Sequence, residues 1–99
     1  MSNQRSLSYV EVVEALVTRP AWALVDGRLV REHTSASWDE AFACLAPIAE
    51  HATRLDHHPD WAQRGRTLRF ELVTHSAKGI TLLDFALADV IDAELGKAL

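Results

Sequence analysis

Apolar residues recur every three or four positions along Tyr9, Val12, Val13 and Leu16, and again along Trp38, Ala41, Phe42, Leu45, Ile48, Ala49 and Ala52. That period predicts two helices, each with one buried face. Ser8 with Glu11, and Ser37 with Glu40, stand at capping-box spacing and mark the two starts. Pro20 stops the first helix by Arg19, because the residue before a proline avoids helical geometry. Pro47 removes one donor from the interior of the second, which predicts a kink there or a new partner for the freed carbonyl. The second helix should end near Leu55.

The period then changes. From Arg66 to Thr74, Leu68, Phe70 and Leu72 alternate with Thr67, Arg69, Glu71 and Val73. This is the pattern of a half-buried strand, with His75 at its end on the polar parity. The stretch from Trp22 to Thr34 reads as a β-hairpin turning at Asp26-Gly27. Ser76 to Gly79 is a turn, and a last helix runs from near Thr81 to about Leu95 with Leu83, Ala86, Leu87, Val90 and Ile91 inward. Residues 1–7 read as a loose tail on one domain spanning 1–99. Helix, hairpin, helix, strand, helix predicts an α+β fold with helices over one face of an antiparallel sheet. Three strands leave an open edge that invites a second copy of the chain.

Composition narrows the function. Ten basic residues against fourteen acidic ones give a net charge of −4, and the basic residues are scattered. A nucleic-acid partner is therefore not expected, since phosphate binding needs a basic face. No stretch has the length of a signal peptide or a membrane span, which points to a soluble cytoplasmic protein with no membrane partner. Cys44 is the sole cysteine, so no internal disulfide or cysteine-rich zinc site can form, and a buried inert thiol is expected.

The chemistry gathers at Leu55-Asp56-His57-His58-Pro59-Asp60-Trp61. Pro59 holds His58 extended, so the two histidine rings point in different directions and do different jobs. Each ring can give or take a proton near neutral pH, and Asp56 and Asp60 flank them. His75 and Asp84 are the other candidates, although an acid three residues after Thr81 also suits a helix N-terminus. Adjacent histidines in an extended loop converge poorly on one ion, so a metal site is not expected. Nothing has the context of a nucleophile elbow or a phosphate loop. An acid–base site without cofactor or metal remains, its substrate open, beside the plainer reading of a polar loop.

The stretch "LDHHPDW", followed by "THSAKGITLLD" from Thr74, resembles the pterin-4a-carbinolamine dehydratase family. The upstream "WALVDGRLVR" and "SWDEAF" are similar to that family's hairpin and second helix, and the likeness spans about residues 8–95. It implies a four-stranded antiparallel sheet covered on one face by three helices, assembled as a homodimer or homotetramer. It implies dehydration of 4a-hydroxytetrahydrobiopterin to quinonoid dihydropterin, a step of pterin recycling. His57, His58 and His75 would be the active-site histidines and Asp84 the supporting acid. His57 and His75 would handle protons, while His58, Trp61, Thr74 and Asp60 would contact the pterin. Two positions depart: Thr53 stands where the family carries a glutamate, and Gln63-Arg64-Gly65 lacks the family's aromatic. The alternative is a non-catalytic relative acting as a transcriptional coactivator or an enzyme assembly factor.

Overall fold

The computed structural model describes residues 5–97. Ser8 Oγ accepts the Glu11 N–H, and the Glu11 carboxylate accepts the Ser8 N–H, which opens α1 (Tyr9–Leu16). Ser37 makes its half of the expected box, accepting the Glu40 N–H at the head of α2 (Trp38–Leu55). This helix runs on through Pro47. Asp26 at φ 50° and Gly27 at φ 77° form the tight turn between β1 (Ala23–Val25) and β2 (Arg28–Thr34).

The remaining strands differ from the periodicity reading. β4 covers Thr67–Leu72 and stops before Thr74. An additional strand, β3 (Asp60–Arg64), occupies residues that the pattern assigns to loop. β3 is an edge strand and four of its five residues are exposed, so it carries no alternation of buried and polar positions. Gly65, at φ 58°, lies in the turn from β3 to β4. The departure from the family's aromatic thus places at this position the residue that adopts a left-handed backbone without strain.

The four strands lie in the order β1-β2-β4-β3, all antiparallel, as the family resemblance implies. Leu29 pairs with Leu72, and both Arg31 and Trp61 pair with Phe70, so these side chains share one face. Leu29, Leu68, Phe70 and Leu72 on that face pack with Val12, Ile48, Leu87 and Ile91 from the helices to form the core. The opposite face carries charge instead: Arg28 pairs with Asp60 at 2.9 Å, and Arg69 pairs with Glu71 at 3.0 Å and Glu32 at 3.1 Å. Such exposed pairs are screened by solvent and add little to stability.

α3 (Leu82–Gly96) buries a different set from the expected stripe. Leu87 and Ile91 are inside as anticipated, but Phe85, Ala88 and Leu95 join them, while Leu83, Ala86 and Val90 are half-buried. Much of the circumference of α3 is covered, so no single stripe describes it. Similarly, α2 faces the core with Ala41, Cys44, Ile48 and Ala52, and leaves Trp38 and Phe42 exposed. The expected inert thiol is there: burial pushes the Cys44 thiol up, and its S–H points to the Glu40 carbonyl at 3.3 Å.

Residues 5–7 are not loose. Leu7 packs on the core and its N–H donates to the Ile80 carbonyl at 2.7 Å, while Arg5 makes a bidentate pair with Glu11. The rest of the expected tail lies outside the described residues. Among the described residues no helix is long and apolar enough to cross a membrane.

Candidate active site

The site begins where α2 ends. Asp56 takes the left-handed conformation at φ 52°, ψ 43°. Its N–H donates to the Thr53 carbonyl at 3.1 Å, and the His57 N–H donates to the Ala52 carbonyl at 3.0 Å. These two bonds are a Schellman motif, which satisfies the last carbonyls of the helix and sets the direction in which the chain leaves. Asp tolerates this backbone better than most residues other than Gly and Asn. Asp56 is thus the hinge that delivers His57. Residues 57–59 have no regular structure, as Pro59 favours, and His57 is half-buried while His58 is exposed.

The second part comes from the far end of β4. The Thr74 N–H donates to the Gly79 carbonyl at 3.0 Å, and the Gly79 N–H returns to Thr74 at 3.3 Å. This small bridge encloses a 3-10 turn, His75–Ala77, with His75 exposed on it and Thr74 buried beneath. His75 therefore sits on a turn rather than at the end of a strand.

The third part is the head of α3. Thr81 caps the helix by accepting the Leu83 N–H at 3.2 Å. Asp84 closes the capping box, its Oδ2 accepting the Thr81 N–H at 2.9 Å. The same Oδ2 accepts the Thr74 hydroxyl at 2.8 Å, and Oδ1 lies 2.6 Å from His57 Nε2. Asp84 has no exposed surface, and the His57 side chain is 11% exposed. A buried carboxylate requires partners for its oxygens. Here they come from a histidine, a threonine hydroxyl and a backbone amide, each delivered by a different segment.

The fold thus brings together four residues, His57, Thr74, Thr81 and Asp84. The resemblance names three of them; Thr81 is missing from it, although Thr81-Leu82-Leu83-Asp84 has legible capping-box spacing. His58 and His75 are exposed near this cluster in sequence and make no hydrogen bond to it. Trp61 stands edge-on to Phe70, with ring centroids 6.1 Å apart, and keeps 38% of its surface exposed. Asp60 turns to the opposite face of the sheet, where it pairs with Arg28. Thr53, at the family's glutamate position, is exposed on the last turn of α2.

The electrostatics are simple. An imidazole whose Nε2–H is held by a carboxylate keeps Nδ1 free to accept a proton, and the carboxylate stabilises the imidazolium that results. Among the described residues no three His, Cys, Asp or Glu side chains converge as metal ligands. The arrangement can move protons.

A small α+β domain with a histidine–carboxylate pair between the end of α2 and the head of α3 is thereby defined, and comparison with known proteins gives its family. The model of the family described as pterin 4 alpha carbinolamine dehydratase matches residues 5–94, and the chain belongs to that family. A protein of Solibacter usitatus, provisionally assigned as a pterin-4-alpha-carbinolamine dehydratase, is 41% identical over 88% of this chain and 92% of its own length. One from Chloroflexus aurantiacus with the same provisional assignment is 40% identical over 91% of this chain and 97% of its own. The crystal structure of a transcriptional coactivator/pterin dehydratase from Brucella melitensis superposes with a TM-score of 0.88 at 35% identity, covering 93% of this chain and all of that one.

Proposed function

We propose that this chain is a hydro-lyase that dehydrates the 4a-carbinolamine of a tetrahydropterin to the quinonoid dihydropterin. The observation that carries the reading is the 2.6 Å bond from His57 Nε2 to a fully buried Asp84. Such a bond leaves His57 Nδ1 as the proton acceptor. In the proposed step, His57 Nδ1 takes the proton from N5 as the C4a=N5 bond forms. The C4a–O bond breaks and the hydroxyl leaves as water, with a proton from His75. His75 is exposed and recovers its proton from solvent. His58 and Trp61 hold the pterin, and Asp84 stabilises the positive charge that appears on His57, which then returns its proton to water. Asp60 is tied to Arg28 and Thr74 to Asp84, so contact of these two with the pterin would run through their backbone or after a rearrangement.

Cytoplasmic pterin recycling after aromatic hydroxylation is the setting this reading proposes. Self-association as a dimer or tetramer belongs to it as well. It is supported by the open edges of β1 and β3 and by the exposed Trp38–Phe42 stack on α2, at 5.2 Å. That same stack favours the second reading, a protein-binding role like the coactivator function in the neighbour's name.

The test generates a 4a-hydroxytetrahydropterin in situ with an aromatic hydroxylase and follows its loss by absorbance. Wild type should accelerate the loss over the spontaneous rate, and His75→Ala should slow it on the order of 100-fold. A wild type equal to the blank would remove the enzyme reading and leave the binding one.

A further inference from the structure

The chemistry above uses Asp84 but leaves the hydroxyl behind it without a role. Thr81 has no exposed surface, and its Oγ1 lies 2.8 Å from Thr74 Oγ1. Counting protons gives that bond a direction. Thr74 has one hydroxyl proton, and it goes to Asp84 Oδ2, because a carboxylate oxygen only accepts. The bond between the two hydroxyls then needs the proton of Thr81. Thr81 Oγ1 is itself an acceptor for the Leu83 N–H. The order runs one way, from Leu83 N–H to Thr81, from Thr81 to Thr74, and from Thr74 to Asp84. His57 Nε2 meets the other oxygen of the same carboxylate.

We propose that Thr81 is a positioning residue for the dehydration. Its hydroxyl orients Thr74, and Thr74 together with the Thr81 N–H fixes the carboxylate plane so that Oδ1 holds His57 with Nδ1 toward the substrate. The proposal rests on His57 being the proton acceptor. Thr81 touches neither substrate nor reacting atoms and acts through two intervening groups. Each hydrogen bond in such a chain polarises the next, so losing the first loosens the last.

The test separates this role from the capping role of Thr81. Thr81→Val keeps the shape and removes the hydroxyl; Thr81→Ser keeps the hydroxyl. Thr81→Gly also removes it but is a tolerated N-cap, so it stands in if the valine variant folds poorly. Two quantities are read: kcat and KM for dehydration, and the ring tautomer of His57 from its imidazole 15N shifts. Wild type and Thr81→Ser should show His57 as the Nε2–H tautomer. Thr81→Val should mix the tautomers and lower kcat about fivefold with KM unchanged, the loss expected for one ordinary hydrogen bond. In a Thr74→Val background the valine change at position 81 should lower stability but no longer lower kcat. A wild-type tautomer and kcat in Thr81→Val would overturn the proposal. So would an undiminished effect in the Thr74→Val background. If wild type fails to accelerate dehydration, the proposed activity fails by itself. The tautomer of Thr81→Val then decides the relay, a mixture supporting it and an unchanged ring overturning it.

Discussion

Two histidine–carboxylate pairs join the α2 region to α3, one at each end of α3. At its head, His57 meets Asp84 at 2.6 Å, with the carboxylate fully buried and His57 11% exposed. Near its tail, His51 meets Glu94 at 3.1 Å, with the histidine 30% exposed and the same glutamate oxygen shared with exposed Lys97 at 3.0 Å. The residue types are alike. The surroundings are not. Asp84 is held by a hydroxyl and a backbone amide that cannot swing away, whereas Glu94 is held by a lysine that can. Lys97 first, then His51, holds the Glu94 carboxyl below the usual carboxylate range. On the proposed reading one pair is a fixed proton-handling geometry, and the other is a clasp between two helices. Preorganisation, not the presence of a histidine beside an acid, separates a site from a tie.

The comparison breaks most visibly in activity. His57→Ala should lower the dehydration rate by on the order of 100-fold to 1,000-fold, as loss of a proton-transfer group does, and His51→Ala should stay within about twofold of wild type. Equal losses in the two variants would erase the distinction.

Stability sharpens it next. Asp84→Ala strands the Thr74 hydroxyl and the Thr81 N–H in a dry interior and should cost about 3 kcal/mol in urea unfolding. Glu94→Ala should cost less, because the His51 and Lys97 side chains both reach solvent and water can replace the lost carboxylate. Acid separates the pairs as well. A carboxylate lowered in the folded state contributes stability that is full above the unfolded value, 4.5, and is lost as pH falls through the folded one. The stability gap between wild type and Glu94→Gln should therefore be open at pH 7 and close progressively below about pH 4.5. A gap that stays constant into acid would mean that the Glu94 charge does not stabilise the fold.

The smallest effect concerns how each histidine is placed. His51 sits within α2 and needs no special backbone, but His57 depends on the left-handed turn at Asp56. Asp56→Gly should stabilise the protein by about 0.5 kcal/mol, since glycine takes that conformation freely. Asp56→Val should destabilise it and lower activity together, which melting curves and rates on the same samples would reveal.

How much of this is legible in the sequence depends on whether the signal is local. Ser8, Ser37 and Asp26-Gly27 announce their elements because a cap and a tight turn are settled within four residues. Strand β3 is not announced, because an exposed edge strand owes its form to the partner it pairs with. The α3 core set is obscured because the helix is covered from more than one side. At the site, the motif brings His57, His58, His75 and Asp84 to notice, yet it cannot show that Asp60 turns away to Arg28 or that Thr81 stands behind Thr74. Those facts belong to side-chain directions set by strand parity and by the turn between Thr74 and Thr81. Asp84 is instructive, because its helix-capping role is visible locally and is real. Its second oxygen, facing His57 from 27 positions away, is visible only in the fold.

The measurement that bears most directly on the difference between the pairs is kcat for Asp84→Asn and Glu94→Gln, taken side by side on folded protein with the in situ 4a-hydroxypterin assay. Each change removes one charge from one histidine's partner and little volume. Asp84→Asn is expected to lower kcat by on the order of 100-fold, and Glu94→Gln to leave it within about twofold. An Asp84→Asn protein that turns over like wild type, or a Glu94→Gln protein equally impaired, would contradict the assignment of the His57–Asp84 pair as the working centre.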